Sequence, residues 1–160
     1  MINAVDNCLS RSSEKREDVC NELRKAWLIL GRALIKAYSE KWIPRKLEVD
    51  RIIEEIVLSG KWLKFDIVQG GSPVPPQEML MILKENSPQY RGLTRNITRM
   101  EGIIRNLSEE KRFLLEEFYW RGVPWYEVAE VLCLSRTTFH RKKYEIEEYI
   151  GREWGNPIEG

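Results

Sequence analysis

The chain has 160 residues, 42% of them hydrophobic and 32% charged, and its 26 basic residues nearly balance 25 acidic ones. That content supports a packed core and excludes a disordered chain, while the near-zero net charge excludes a grip on nucleic acid by bulk basicity, so any such contact must be local. A single histidine excludes a His-rich metal site, and three cysteines without a CxxC spacing exclude a zinc ribbon or a disulfide framework.

Residues 1–13 are polar and rich in Ser and Asn, and are expected to form a loose tail. No basic start followed by an apolar stretch marks a leader. A helical pattern runs from about Glu14 to Trp42. Val19, Leu23, Ala26, Leu30, Ala33 and Ala37 alternate at spacings of four and three, which makes an apolar stripe widened by Trp27, Leu34 and Tyr38. Such a helix needs a partner, within the chain or in a second copy. The segment Ala26–Leu30, the most apolar, is too short to span a bilayer. Pro44 is expected to end this helix. A second follows from about Leu47 to Leu63, with Ile52 and Ile56 among its apolar members, and the short connection suggests an antiparallel hairpin.

Gln69–Pro76 reads QGGSPVPP and is expected to be a turn and extended spacer. The chain thus divides into an N-terminal helical region (1–68), a Gly/Pro linker (69–76), connecting helices (77–106) and a C-terminal domain (107–155). Within the connecting region the pattern predicts a short helix over 77–85 and a longer one over 89–106. In the longer helix Leu93, Ile97, Met100, Ile104 and Leu107 line one seam, and Arg91, Arg95 and Arg99 share another face. These arginines are either a solvated face or phosphate contacts. No strand pattern of useful length occurs, since Phe65–Val68 is too short, so the fold class is all-α.

From Leu107 three helices are well punctuated. Ser108 is an N-cap followed by Glu109 and Glu110, where the helix dipole favours acids. Phe113, Leu114, Phe118 and Tyr119 supply the apolar face, and Gly122 closes the helix. Pro124 starts a second, short helix whose inner face is Trp125, Val128, Ala129 and Leu132. The small Ala129 permits a close helix crossing. Cys133 and Leu134 form a turn, with Leu134 expected to be buried and Cys133 a small core residue. Ser135 caps the third helix, whose core face carries Phe139, Ile146 and Ile150. Its front presents Arg136, Thr137, Thr138, His140 and Arg141, followed by Lys142 and Lys143. Between Val131 and Tyr144 there are four basic residues and no acidic one. This is the local positive patch that the balanced charge demands. Arginine offers a fork to guanine in the major groove, threonine meets phosphate or a thymine methyl, and lysine meets phosphate. Glu145, Glu147, Glu148 and Glu153 are expected to face away from such a ligand.

The run LSEEKRFLLEEFYWRGVPWYEVAEVLCLSRTTFHRK resembles region 4 of sigma-70-type factors. YWRGVPWYEVAEVLCLSRTTFHRKKYEIEEYI is similar to the C-terminal end of phage transcriptional regulators of the RinA and ArpU type. The residues that carry the resemblance are Tyr119, Gly122, Ala129, Leu134, Ser135, Arg136, Thr138, Phe139 and Arg141. It covers Leu107–Gly155 and none of the N-terminal half, and Lys143 departs from it by standing where an apolar residue is common. The resemblance implies a helix-turn-helix protein of prophages in Gram-positive bacteria that activates phage genes. Its partners would be double-stranded DNA and RNA polymerase, its setting the bacterial cytoplasm. Such a protein is expected to be a homo-oligomer, with a dimer favoured, to need no metal or cofactor, to touch no membrane and to be no enzyme.

The DNA-binding set is therefore Ser135, Arg136, Thr137, Thr138, His140, Arg141, Lys142 and Lys143. Two other readings stay open: a small terminase subunit that recognises phage DNA for packaging, and an interaction module that binds polymerase or a sigma factor without touching DNA. No phosphate loop, nucleophile elbow or HExxH motif occurs. The tryptophans Trp27, Trp62, Trp120 and Trp125 lie in or beside apolar stripes and are expected to pack rather than to stack on bases.

Overall fold

The computed structural model of the chain describes residues 4–60 and 74–156, with side chains from Ser13 onward. Among these residues there is no strand, and the fold is all-α. Helix α1 spans Ala4–Ala37, a π-helical segment π1 spans Tyr38–Trp42, and α2 spans Ile43–Leu58. Beyond residue 73 follow α3 (Pro76–Asn86), α4 (Pro88–Arg105), α5 (Glu109–Leu114), a second π segment π2 (Leu115–Trp120), α6 (Trp125–Val131) and α7 (Arg136–Gly155). Among the described residues no helix is long and apolar enough to cross a membrane.

Three expectations for the N-terminal part are corrected. Residues 4–13 are helical rather than a loose tail, because extending an existing helix costs little compared with nucleating one. Pro44 does not end the first helix. It sits in the first turn of α2, where no backbone donor is needed, and the wider π1 turn before it makes room for the ring that would clash in a regular helix. No hairpin connection therefore exists between α1 and α2. The second helix stops at Leu58 rather than Leu63, with Gly60 in the left-handed region at φ 66°. Leu63, Trp62, Phe65–Val68 and the Gly-rich part of the linker lie outside the described residues, and Val74 and Pro75 are non-helical.

The chain divides into two compact units, and the division does not fall at the Gly/Pro stretch. One unit joins α1 as far as Lys36 to everything from Ile103 onward; the other is Ala37–Gly102. In the second unit α2 packs on α3. The buried stripe of α2 is Val49, Ile53 and Val57, four residues apart, whereas Leu47, Ile52 and Ile56 are exposed. Ile97 and Met100 bury the inner face of α4. Ser87 makes the corner between α3 and α4: its backbone N–H closes α3, and its hydroxyl accepts the Tyr90 N–H at 3.2 Å. Asp50 is held between Lys46 at 3.4 Å and Lys84 at 3.1 Å, and both ammonium groups also lie over the Tyr90 ring. Burial pulls the Lys84 ammonium down, but its hydrogen bond and ion pair with Asp50 outweigh that and leave it raised.

The first unit is built around Leu34, Ile35, Ile103, Leu107, Leu114, Leu115, Val128, Ala129, Phe139, Ile146 and Ile150, all buried. Here the face of α1 differs from the expected stripe. Val19 and Leu23 are 59% and 46% exposed, and Ala26 and Ala33 are exposed too. The buried side is Gly31, Leu34 and Ile35, with Trp27 and Leu30 half-buried. Glycine decides this face. A Cβ on Gly31 would overlap the Glu147 carbonyl oxygen, and one on Gly151 would overlap the Trp27 carbonyl oxygen. Residues 27 and 31 of α1 thus meet 151 and 147 of α7 in reversed order, an antiparallel crossing close enough for glycine alone at both points.

Candidate nucleic-acid interface

The turn before α7 is a Schellman motif. Leu134 N–H donates to the Ala129 carbonyl at 2.8 Å and Cys133 N–H donates to the Glu130 carbonyl at 3.1 Å, which closes α6. This geometry requires a left-handed residue at Cys133, whose φ is 54°. Glycine usually fills that position, and the cysteine carries the steric cost of its Cβ. Cys133 is exposed rather than a core residue, and Leu134 is half-buried rather than fully buried. The exposure of Cys133 follows from the motif, since a left-handed residue at a helix end points away from the helix it terminates.

Ser135 then caps α7 as expected from its type. Its hydroxyl accepts the Thr138 N–H at 3.2 Å and donates to Thr138 Oγ1 at 2.9 Å. The Thr138 side chain is thereby drawn into the cap. Arg136, Thr137 and Arg141 are exposed on the first two turns. The Arg136 guanidinium lies 5.5 Å over the Trp125 ring, and the His140 ring stands 5.7 Å from the same indole. Trp125 also meets Phe139, which in turn meets Phe118 edge-on at 5.3 Å. The half-buried Trp125 is thus both core and the platform against which Arg136 and His140 are held, where sequence reasoning assigned it packing alone.

The two lysines do not join this exposed set. Lys142 pairs with Glu110 of α5 at 2.8 Å. Lys143 is turned inward, 5.5 Å over the Phe118 ring and 4.0 Å from the Glu147 carboxylate. Its position one turn after Phe139 places it on the core face, which is why an apolar residue is usual there. Glu145 reaches Lys111 of α5 at 3.1 Å and stands 3.9 Å from Arg141, which remains 67% exposed. The pairs Lys142–Glu110 and Lys111–Glu145 strap the front of α7 to the first turn of α5. In the second unit Arg91 and Arg95 are exposed and Arg99 is half-buried on α4.

Behind this surface lies a group that the sequence reading missed. Glu147 was expected to turn outward; it is fully buried. Arg32 of α1 donates to its carboxylate at 2.7 Å, and the Tyr119 hydroxyl donates to its other oxygen. A buried carboxylate without partners costs several kcal/mol, so these donors are what permit it there. The Arg32 guanidinium is raised by that hydrogen bond and the charge beside it. Burial, reinforced by the Glu147 carboxylate, pushes the Tyr119 phenol far above its usual value. Trp120 adds a further tie, its indole N–H donating to the Ile35 carbonyl at 3.2 Å. The signal was present in spacing: residues 139, 143, 146, 147 and 150 share one face, which puts Lys143 and Glu147 together on the core side. No model of a known protein family, no curated protein and no solved structure matches this chain.

Proposed function

We propose that this chain is a sequence-specific DNA-binding transcriptional regulator, of the phage activator kind that its C-terminal segment resembles, acting as a binding protein rather than an enzyme. One observation carries the reading. The N-terminal turns of α7 present Arg136, Thr137 and Arg141 to solvent, directly behind a tight α6–α7 turn and on a helix whose other side is buried. In helix-turn-helix proteins it is this part of the second helix that reaches base edges in the major groove. Arg136 is the primary base contact, since a guanidinium braced on Trp125 has less freedom to lose on binding. Arg141 and Thr137 serve as phosphate or base contacts. His140 lines the same surface. The buried Glu147 network sits in the rear half of α7, about three turns beyond Arg136, and holds the helix without touching the ligand.

Duplex DNA in the major groove also needs a second grip for useful affinity, commonly supplied by a second copy over a neighbouring half-site. The test is selection of bound fragments from random duplex DNA, followed by anisotropy titration of the enriched sequence across a salt series. Enrichment of a defined site, with affinity that falls steeply as salt rises, supports the reading. Failure to bind any duplex at low ionic strength, where phosphate contacts are strongest, removes it and favours a surface for a polymerase subunit instead.

A further inference from the structure

The second unit contains a cleft that the DNA-binding reading does not use. It has a volume of about 510 Å³ and lies between the end of α3 and the first turns of α4, lined by Lys84, Glu85, Tyr90, Arg91, Thr94 and Arg95. That volume is within the range of small-molecule sites, about 300–1,000 Å³. Arg91 and Arg95 stand one helical turn apart on the same wall, and neither side chain has a hydrogen-bond or ion-pair partner among the described residues. Such arginines contrast with Arg32, Arg121 and Arg152 elsewhere in the chain, each of which has a carboxylate beside it. Thr94 lines the cleft with a hydroxyl that is out of solvent and has no hydrogen-bond partner, which is uncommon for a buried polar group. The Tyr90 ring lies under the ammonium groups of Lys46 and Lys84, at 5.5 and 5.6 Å.

We propose that this cleft binds a small phosphate monoester, with Arg91 and Arg95 on the phosphoryl oxygens. The charge balance selects the class. Among the residues that line the cleft, Lys84, Arg91 and Arg95 face the single carboxylate of Glu85, an excess of two positive charges on its walls. A phosphate monoester carries close to two negative charges at neutral pH, about −1.5 to −2. A phosphodiester of duplex DNA carries only one, and Glu85 at the rim would oppose a long anionic strand more than a compact dianion. A planar guanidinium group presents two parallel N–H donors that bind two phosphoryl oxygens by paired hydrogen bonds. Tyr90 offers an aromatic wall to the ester carbon skeleton.

Calorimetric titration of the full chain with phenyl phosphate and with inorganic phosphate tests this, and separates an ester from the free ion. Saturable binding of phenyl phosphate is expected, weakened about tenfold by Arg91→Gln and by Arg95→Gln. Far-UV circular dichroism of each variant confirms that these exposed substitutions leave the fold in place. Arg136→Ala is expected to leave phenyl phosphate affinity unchanged, so the outcome is independent of the DNA-binding reading. The proposal is overturned if phenyl phosphate does not bind, if only inorganic phosphate does, or if the double arginine variant binds it as well as the native chain. Loss of duplex DNA binding in that variant, without phenyl phosphate binding in the native chain, would assign the arginines to nucleic acid instead.

Discussion

The two halves of α7 obey different rules. From Ser135 to Arg141 the helix buries only Phe139 and leaves Arg136, Thr137 and Arg141 exposed to meet a ligand. From Ile146 to Gly151 one face is enclosed: Ile146, Glu147 and Ile150 are each 0% exposed, and Gly151 lies against the α1 backbone. One half spends its side chains on the surface, the other on holding the helix in place. The lesson is that position along a helix, more than residue type, separates binding from stability. A glutamate in the rear half is structural, and an arginine in the front half contributes almost nothing to the fold.

Substitutions can break or sharpen this contrast. The largest effect on stability is expected from Gly151→Ala, where a methyl group must displace the Trp27 carbonyl. Alanine favours a helix by about 1 kcal/mol over glycine. We expect the backbone clash to override that and to destabilise the protein by about 3 kcal/mol in chemical denaturation. A neutral or stabilising result would show that α1 and α7 do not cross so closely. Next in size is Arg32→Ala, which leaves the Glu147 carboxylate with Tyr119 and the more distant Lys143. Removing a partner of a buried charge costs about 3–5 kcal/mol. Because Arg32 is itself 49% exposed and its pair is partly screened, about 2 kcal/mol is expected here.

The same network sets a response to alkali. The Tyr119 phenol is raised above 10.0 in the folded protein, so its contribution is fully present below pH 10. It is lost as pH rises further and the unfolded chain ionises while the folded one does not. Urea midpoints measured on both sides of pH 10 should fall more steeply for the native chain than for Tyr119→Phe. Parallel slopes would mean that the hydroxyl is not buried against Glu147. In the turn that joins α6 to the front half of α7, Cys133→Gly should stabilise by about 0.5–1 kcal/mol, since it relieves a left-handed cysteine. A lower melting temperature would argue against the Schellman turn. The smallest change in stability, under about 0.5 kcal/mol, is expected for Arg136→Ala and Arg141→Ala. Each should nevertheless weaken duplex binding about tenfold in anisotropy titrations.

Much of this was legible in the sequence. Ser108 and Ser135 cap their helices with their hydroxyls, as residue type and the following pattern predict. The seam of α4 was readable in part from spacing: Ile97 and Met100 are buried along it, whereas Leu93 and Ile104 are half-buried and Ile103 takes the buried place near its end. The exposed front of α7 followed from its basic and hydroxyl residues Arg136, Thr137 and Arg141. What stayed hidden has a common cause. Local periodicity cannot see a partner far along the chain, so the buried face of α1 was misassigned when two glycines, not the apolar stripe, chose it. Glu147 was read by its charge because its donors come from positions 32 and 119. The π segments were equally invisible, since widening a turn leaves no mark in composition.

The crossing of α1 with α7 also has a consequence in time. Arg32 and Glu147 are 115 positions apart, and the whole of the second unit is encoded between them. A chain made at about 5–20 residues per second reaches Glu147 on the order of ten seconds after Arg32 has been joined. Through that interval the notch at Gly31 has nothing to receive, while residues 37–102 are complete and able to fold around their own core. The insertion is thus assembled before the unit that surrounds it in sequence. The arrival of α7 is what gives the first helix its seat.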